Sequence, residues 1–511
     1  MIPKIRIFRE GELACETEGV QGETLLALIS GEGVFLDAPC GGQGKCGKCL
    51  VRLDSPDGEQ VLACKTTVSG SMDVYVPDVM EMKIAGASVA AGSSDVGKVS
   101  KSAKLGVAVD IGTTTVVAHL TDIVTGARIA TASGVNAQRP YGADVISRIQ
   151  YCIENSHETL TRLIRGQLSD LIKKTCSASG ARLKDIGYIS IAANTIMEHL
   201  AAGYSPAGMG LVPFTPISLF GSELPAGGDL PVSSDAIIYF APAISAYVGG
   251  DITAGMLAAG LENMAGTVVY LDIGTNGEIV LKQGDKYYCC ATAAGPAFEG
   301  AEITMGMAAV SGAINHVKWE AGLKLSVIGN DAPLGLCGSG LLDALAVLLE
   351  TGAVDESGRL LDADEIEHEI AEHIGEADGK NVFWLKKDAG VYMSASDIRK
   401  LQLAKSAIAA GIQTLLQHAG VTEEQVGAFI LAGGFGSFMD QSSAARIGLF
   451  PKSFLPTAIT LGNTAGEGAA LALLSDSARD ALNNIRDRCE YIDLSTSPVF
   501  NEQFVEQMMF N

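Results

Sequence analysis

One hydrophobic strand–turn–strand pattern occurs twice in this chain. Residues 104–122, KLGVAVDIGTTTVVAHLTD, align with residues 267–285, TVVYLDIGTNGEIVLKQGD, and both copies carry the turn Asp-Ile-Gly-Thr between two hydrophobic segments. Helical periodicity follows each copy along the chain. Self-similarity of this kind indicates a duplicated α/β unit. The sequence therefore predicts two related subdomains, residues 105–265 and residues 266–511, the second ending in a C-terminal cap.

The residue types of both turns suit a phosphate group and its metal ion. Phosphate oxygens need several convergent hydroxyl or backbone N–H donors, and a magnesium ion needs carboxylates, often through water. A single Asp-x-Gly-Thr turn is common in ordinary proteins, whereas two facing copies would hold a polyphosphate from both sides. Asp110 and Asp272 are therefore the predicted magnesium and phosphate carboxylates. The predicted phosphate contacts are Gly112, Thr113, Thr114, Gly274, Thr275 and Asn276.

A third glycine-rich element lies further along the chain. In AFILAGGFGSFMD (428–440) a buried strand runs directly into glycines, which allow close approach of the backbone to a ligand. Asp251, in VGGDIT, is a candidate for orienting water or metal, with helix capping as its equal alternative. Glu278 is a candidate of the same kind. Glu299 and Glu302 are candidates for facing the cleft, and Asn194 and Thr195 are either polar groups that line the cleft or a plain helix cap.

These segments together resemble the ASKHA superfamily, which contains sugar kinases, actin and the large heat-shock chaperones. Its first phosphate motif matches 107–115, its second matches 269–278 and its adenosine motif matches 431–436. The resemblance implies a duplicated ribonuclease-H-like (actin-like) ATPase core that binds ATP and Mg²⁺, with Gly433, Gly434 and Phe435 at the adenosine. The superfamily's connecting helix is similar to 336–346, where Gly338 and Gly340 would allow a close helix crossing. The chain contains neither a Walker A sequence nor a flavin-type GxGxxG motif.

Four cysteines near the N-terminus have the spacing C-x5-C-x2-C-x14-C. This is the ligand pattern of a plant-type [2Fe–2S] cluster, although the usual first gap is four residues. A structural zinc site and disulfides are the alternatives; zinc sites usually come as two compact pairs, and only one CxxC is present. The predicted cluster ligands are Cys40, Cys46, Cys49 and Cys64.

The cysteines fall within a short β-rich segment. Residues 1–80 combine a hairpin, a short amphipathic helix and closing strands, which is the order of a β-grasp ferredoxin. Residues 81–104 are rich in Ala, Gly, Ser and Lys and therefore predict a flexible linker. The predicted fold class is thus a multidomain α/β protein, with a β-grasp [2Fe–2S] domain joined to the duplicated core.

Composition excludes several functions. The formal charge of −23 argues against nucleic acid or an anionic membrane as a partner. No uncharged run of 18 apolar residues is present, and the charged start MIPKIRIFRE predicts no signal peptide. Seven scattered cysteines remain after the cluster set, which fits reduced thiols in the cytoplasm.

The fusion of both parts resembles one family, the ATP-dependent reductive activators of corrinoid proteins. Stretches similar to that family's own motifs are 136–149, 193–200, 241–256, 292–307, 396–408 and 462–469. The resemblance implies an enzyme that reduces a corrinoid protein of a methyltransferase system by one electron, from Co(II) to Co(I), at the expense of ATP. It further implies a low-potential electron donor of ferredoxin or flavodoxin type, and a homodimer is compatible with it.

Two alternatives remain open at the level of sequence. One is an ASKHA-type activator of another low-potential acceptor, in which a [4Fe–4S] cluster lies between two subunits; Cys337 is the one cysteine in a comparably glycine-rich segment. The other is a nucleotide-gated, ferredoxin-like electron carrier without net hydrolysis.

Overall fold

The computed structural model describes residues 3–9, 12–32, 34, 36, 38, 42, 44, 49–77, 103–300 and 302–510. Residues 81–102 of the predicted linker, together with Cys40 and Cys46, lie outside the described residues. No helix in the described ranges combines the length and the apolar character that crossing a bilayer requires.

The N-terminal unit is a mixed five-stranded sheet covered by one helix. Its elements are β1 (Lys4–Arg9), β2 (Glu12–Glu18), α1 (Leu25–Gly31), β3 (Leu50–Leu53), β4 (Gln60–Leu62) and β5 (Met72–Tyr75). The predicted hairpin is present as antiparallel β1 and β2, and β1 also pairs in parallel with β5. The Thr24 side chain caps α1, whose buried leucines pack on the sheet. The strand order β2-β1-β5-β3-β4 agrees with the predicted β-grasp arrangement.

The middle region contains the first copy of the repeated unit. Its central strands are almost entirely buried, which explains their continuous hydrophobic sequence. The sheet order is β10-β11-β9-β6-β7-β8, and the elements are β6 (Leu105–Ile111), β7 (Thr115–Asp122), β8 (Arg128–Val135), α2 (Val145–Glu154), α3 (Glu158–Ser179), β9 (Ile186–Ala193), α4 (Thr195–Ala202), β10 (Ser222–Pro225), β11 (Ile237–Phe240) and α5 (Gly250–Ala258).

The C-terminal region contains the second copy and two small three-stranded sheets. Its elements are β12 (Thr267–Ile273), β13 (Gly277–Gln283), β14 (Lys286–Thr292), β15 (Ala313–Trp319), β16 (Leu323–Val327), β17 (Gly335–Leu336), α6 (Gly338–Glu350), β18 (Ile374–Ala377), β19 (Lys380–Lys386), β20 (Val391–Ser394), α7 (Ala395–Ala419), β21 (Val426–Ala432), α8 (Gly433–Gly436), α9 (Gln441–Arg446), β22 (Ala458–Thr460), α10 (Thr464–Leu474), α11 (Asp476–Asp487), β23 (Cys489–Tyr491) and α12 (Pro498–Glu506). The main sheet has the order β22-β21-β12-β13-β14-β23.

The two large sheets have the same internal topology. In each, three consecutive strands form an antiparallel meander, β6-β7-β8 or β12-β13-β14. The first strand of each meander then pairs in parallel with a later strand, β6 with β9 and β12 with β21. The duplication predicted from the repeated turn is therefore present in the fold, and each repeated turn follows the equivalent strand of its sheet.

The two regions meet where α5 packs against α10. The backbones approach so closely that a Cβ on Gly468 would collide with the carbonyl oxygen of Ala254. The prediction of a close helix crossing at Gly338 and Gly340 was wrong. Added Cβ atoms there would instead collide with the backbone carbonyl oxygens of Phe298, in a 3₁₀ turn, and of Ile314, in β15, so neither glycine lies at a crossing of two α-helices.

Candidate functional site

The two repeated turns face each other. The hydroxyl oxygens of Thr114 and Thr275 are 3.4 Å apart, although 161 positions separate them in sequence. Each turn is closed by a backbone hydrogen bond that its glycine donates. Gly112 N donates to Thr115 O and Gly274 N donates to Asn276 O, both at 2.9 Å. The preceding aspartate is in each case the penultimate residue of its strand. The structure thus places the donors of both turns on opposite walls of one cleft.

This cleft contains a cavity of about 470 Å³. Its volume falls in the range typical of small-molecule and cofactor sites. All twelve residues predicted for the nucleotide site line it, namely Asp110, Gly112, Thr113, Thr114, Asp251, Asp272, Gly274, Thr275, Asn276, Gly433, Gly434 and Phe435. Tertiary structure therefore brings together four segments that are distant in the chain.

Several carboxyl groups share the cavity wall, and their electrostatics favour a cation. Burial raises the pKa of Asp110 to about 7 and that of Asp272 to about 6. Burial and the negative charges of Asp272 and Asp110 raise the pKa of Asp251 to about 8, and the pKa of Glu278 is also raised well above its ordinary value, mainly by burial. A cation placed among these groups would stabilise their ionised forms.

The first turn is braced from below by residues that the sequence analysis did not single out. The Asn136 side chain donates to Gly112 O at 2.8 Å, and the fully buried Arg148 donates to Thr113 O at 2.5 Å. Arg148 also donates to Gly142 O at 3.0 Å. Burial lowers the pKa of the Arg148 guanidinium to about 9. Both residues belong to the stretch 136–149, which the sequence analysis noted as similar to a family motif. The fold shows that these two residues hold the backbone of the first turn.

Asn463 connects the first turn to the second half of the fold. Its Nδ2 donates to Asp110 Oδ2 at 2.8 Å, while its Oδ1 accepts from Gly466 N and caps α10. The Asn463 hydrogen bond opposes the effect of burial on the pKa of Asp110. This residue, also missed as a site residue, lies in the quoted stretch 462–469 and orients a predicted metal ligand.

The far wall of the cavity is formed by the third glycine-rich segment. Gly433 has a φ of 85°, and any Cβ there would collide with a carboxylate oxygen of Asp272. Gly434 faces open space. The Phe435 ring stacks on Phe298 with centroids 5.5 Å apart. A flat aromatic wall beside open backbone is compatible with a nucleoside.

The remaining predicted candidates separate into two groups. Asn194 and Glu299 line the cavity, and Asn194 both caps α4 and donates to the Thr113 hydroxyl at 3.3 Å. Glu302 is exposed and is not among the cavity-lining residues. Thr195 is buried and donates to Ser245 O, which is a packing role.

The described part of the cysteine loop fits a cluster. Cys49 precedes β3 and Cys64 follows β4, and these two strands pair with each other, which brings both residues to one end of the hairpin. Gly42 has a φ of 83°, and a Cβ built on it would lie 3.8 Å from Cys64 Cβ. Of the glycine-rich loop, the described residue Gly42 therefore lies beside Cys64 in a backbone conformation that favours glycine.

Cys337, which the alternative of a [4Fe–4S] activator singles out, is buried at the N-terminus of α6. Its thiol contacts the Ser339 hydroxyl and Ile314 O. Among the described residues, no group of three or more His, Cys, Asp or Glu side chains is arranged to hold a metal ion by itself.

Comparison with known protein families covers nearly the whole chain. A 2Fe-2S iron-sulfur cluster binding domain matches residues 8–69, the RACo middle region matches 105–264, and the C-terminal domain of RACo, the ASKHA domain, matches 266–511. These matches confirm the predicted fold class and support a [2Fe–2S] cluster and ATP as cofactors.

Individual relatives agree with the family matches. The chain is 31% identical to the corrinoid activation enzyme RamQ of Eubacterium limosum, over 96% of this chain and 97% of that protein. It is 26% identical to the [Co(II) methylated amine-specific corrinoid protein] reductase of Methanosarcina barkeri, over 54% of this chain and 52% of that protein. The solved structure of a reductive activator for a corrinoid, iron-sulfur protein superimposes with a TM-score of 0.72 at 29% identity, covering 99% of this chain and 98% of that one.

Proposed function

The chain belongs to the RACo family of corrinoid activators, and we propose that it reduces the cobalt of a corrinoid protein from Co(II) to Co(I) in a one-electron, ATP-dependent reaction. The corrinoid protein would serve a methyltransferase system. The observation that carries the proposal is the presence, in one chain, of an iron–sulfur domain and a cavity lined from both sides by the two Asp-Ile-Gly-Thr turns. This combination supplies both an electron and a source of free energy.

At the nucleotide, each wall of the cavity has a distinct role in the proposal. Asp110 and Asp272 hold Mg²⁺, because this ion usually binds through one or two carboxylates, substrate phosphates and several waters. The donors of the two turns bind the phosphates, and Gly433, Gly434 and Phe435 accommodate the adenosine. Asp251 lines the same cavity at the start of α5 and orients the attacking water.

At the other end of the chain, Cys40, Cys46, Cys49 and Cys64 hold the cluster. When bound, the cluster supplies a one-electron carrier, and ATP supplies free energy. Plant-type clusters lie near −400 mV. Each ~59 mV that the acceptor lies below the donor costs a factor of ten in the equilibrium constant of a one-electron step. Nucleotide-dependent closure of the cavity would offset such a mismatch by favouring the reduced corrinoid complex.

The surroundings of the reaction follow from the same chemistry. We propose a low-potential donor of ferredoxin or flavodoxin type, since a donor must have a potential near or below that of a plant-type cluster, about −400 mV, to keep the cluster reduced. The strongly acidic chain, with its formal charge of −23, is proposed to act in the cytoplasm. We further propose a homodimer as an assembly that is compatible with the family resemblance.

The test is anaerobic reduction of a Co(II) corrinoid protein, followed by its visible absorbance. The reactions contain the full chain, a low-potential donor and either Mg–ATP, Mg–ADP or no nucleotide. We expect Co(I) to accumulate only with Mg–ATP, and we expect Asp272→Asn to abolish the ATP effect. If Co(II) is reduced equally fast and equally far without ATP, the coupling of ATP to electron transfer is refuted. The protein would then be only an electron carrier.

A further inference from the structure

The carboxylate of Glu299 joins the two phosphate-binding turns. Its Oε2 accepts a hydrogen bond from the Thr114 hydroxyl at 2.7 Å, and its Oε1 accepts one from the Thr275 hydroxyl at 2.8 Å. Glu299 also lines the cavity. One side chain thus takes one donor from each wall at the place where the proposed function puts the phosphates.

These two hydroxyls cannot serve Glu299 and a phosphate at the same time. A threonine hydroxyl carries one proton and therefore donates one hydrogen bond. A carboxylate and a phosphate present the same kind of anionic oxygen acceptor, so both compete for the same two donors. Their negative charges also repel each other within a cavity that already holds the carboxyl groups of Asp110 and Asp272.

We propose that the Glu299 carboxylate is an internal phosphate mimic, which bridges the two turns in the nucleotide-free protein and is displaced when ATP binds. This inference rests on the proposed ATP site and adds a residue that controls its occupancy. Arg148, buried under the first turn, interacts electrostatically with Glu299. Its positive charge favours whichever anion, carboxylate or phosphate, occupies the hydroxyls.

The segment that carries Glu299 is a short turn between two glycines. Glu299 ends a 3₁₀ turn, Pro296–Glu299, which is flanked by Gly295 and Gly300, both in the left-handed region with φ values of 75° and 74°. The same turn carries Phe298, which stacks on Phe435 at the predicted adenosine wall. Because Phe298 directly precedes Glu299, any backbone movement that accompanies the displacement of Glu299 would reach this aromatic wall.

The experiment compares Mg–ATP binding by the full-length wild type, Glu299→Gln and Glu299→Ala in equilibrium titrations. We expect Glu299→Ala to bind Mg–ATP at least tenfold more tightly than the wild type, with Glu299→Gln in between because the amide keeps one acceptor and loses the charge. A tenfold gain would mean that the carboxylate holds the hydroxyls in about 90% of nucleotide-free molecules. Glu302→Gln is the matched control, since it removes an exposed charge three residues away, and its affinity should equal that of the wild type.

A second measurement separates competition from a purely structural role. Hydrogen exchange in a peptide covering 294–307 should change when Mg–ATP is added to the wild type. Without nucleotide, that peptide in Glu299→Ala should already exchange faster than in the wild type. If Glu299→Ala melts at a lower temperature, its ATP-induced rise in melting temperature should still exceed that of the wild type.

The outcomes distinguish this inference from the proposed function. A wild type that binds ATP while both Glu299 variants bind it equally or more weakly overturns the mimic and makes Glu299 a supporting ligand. A wild type that binds no ATP overturns the proposed function and the mimic with it. Faster exchange and tighter binding in Glu299→Ala, with Glu302→Gln unchanged, support the mimic.

Discussion

The carboxyl group of Asp272 destabilises the nucleotide-free fold, and Asp272→Asn should therefore stabilise it. Burial raises the pKa of this group from its ordinary value of 3.8 to about 6. Between pH 3.8 and about 6, the Asp272 carboxyl group therefore keeps its proton in the folded state and loses it in the unfolded state. In this window stability falls as the pH rises, and above pH 6 the full loss is present. Asparagine has nearly the same shape and no charge.

The magnitude follows from the separation of the two pKa values. Each pH unit of difference is worth about 1.4 kcal/mol, so ionised Asp272 costs the fold about 3 kcal/mol at pH 8 and about 1.6 kcal/mol at pH 5. We therefore expect Asp272→Asn to raise the free energy of unfolding by about 3 kcal/mol at pH 8 and by about half of that at pH 5. The same change also removes repulsion felt by Asp110 and Asp251, whose pKa values are raised partly by Asp272.

The assay is thermal unfolding of the nucleotide-free, full-length protein, followed by circular dichroism at both pH values. For a protein of this size, 1 kcal/mol corresponds to about 2 °C, so the expected rise is several degrees at pH 8. The exposed Asp388 gives the control: Asp388→Asn should change stability by no more than about 0.5 kcal/mol. The reasoning fails if Asp272→Asn melts below the wild type, or if its gain is the same at pH 5 and pH 8. The stabilised variant should have lost Mg–ATP affinity, as is common for functional-site charges.

Three further changes test the bracing of the first turn and the iron–sulfur domain. Arg148→Met leaves Thr113 O without its buried donor and should lower the free energy of unfolding by about 2–4 kcal/mol, and an unchanged melting temperature would contradict the bracing role. Asn463→Ser keeps a helix-capping side chain but loses the donor to the buried Asp110, so it should lower the free energy of unfolding by about 1–2 kcal/mol and bind Mg–ATP several-fold more weakly; equal affinity would exclude a role in orienting Asp110. Cys64→Ser should lose the visible absorbance of the cluster and all Co(II) reduction while keeping its Mg–ATP affinity, and a full complement of bound iron would contradict the ligand assignment.

The sequence alone was sufficient to predict the elements whose contacts join residues close together in the chain. The turn at Asp110 closes through residues only a few positions apart, and the turn at Asp272 repeats it, so the sequence pattern alone located both turns. Similarly, alternating and continuous hydrophobic segments predicted the hairpin of β1 and β2 and the buried strand β21. The one packing prediction that failed concerned Gly338, because a glycine indicates close approach without indicating what approaches.

The contacts that complete the site join residues far apart in the chain, and no local pattern encodes them. The hydrogen bond from Asn463 to Asp110 joins residues 353 positions apart in the sequence. The hydrogen bond from Thr114 to Glu299 joins residues 185 positions apart. Sequence repetition predicted two related turns that follow equivalent strands, and the fold contains both. Only the packing of the two sheets around one cavity decided that their hydroxyls lie 3.4 Å apart with a carboxylate between them. That arrangement depends on the summed burial of two hydrophobic cores, which sets the distance between the turns and cannot be obtained from either turn alone.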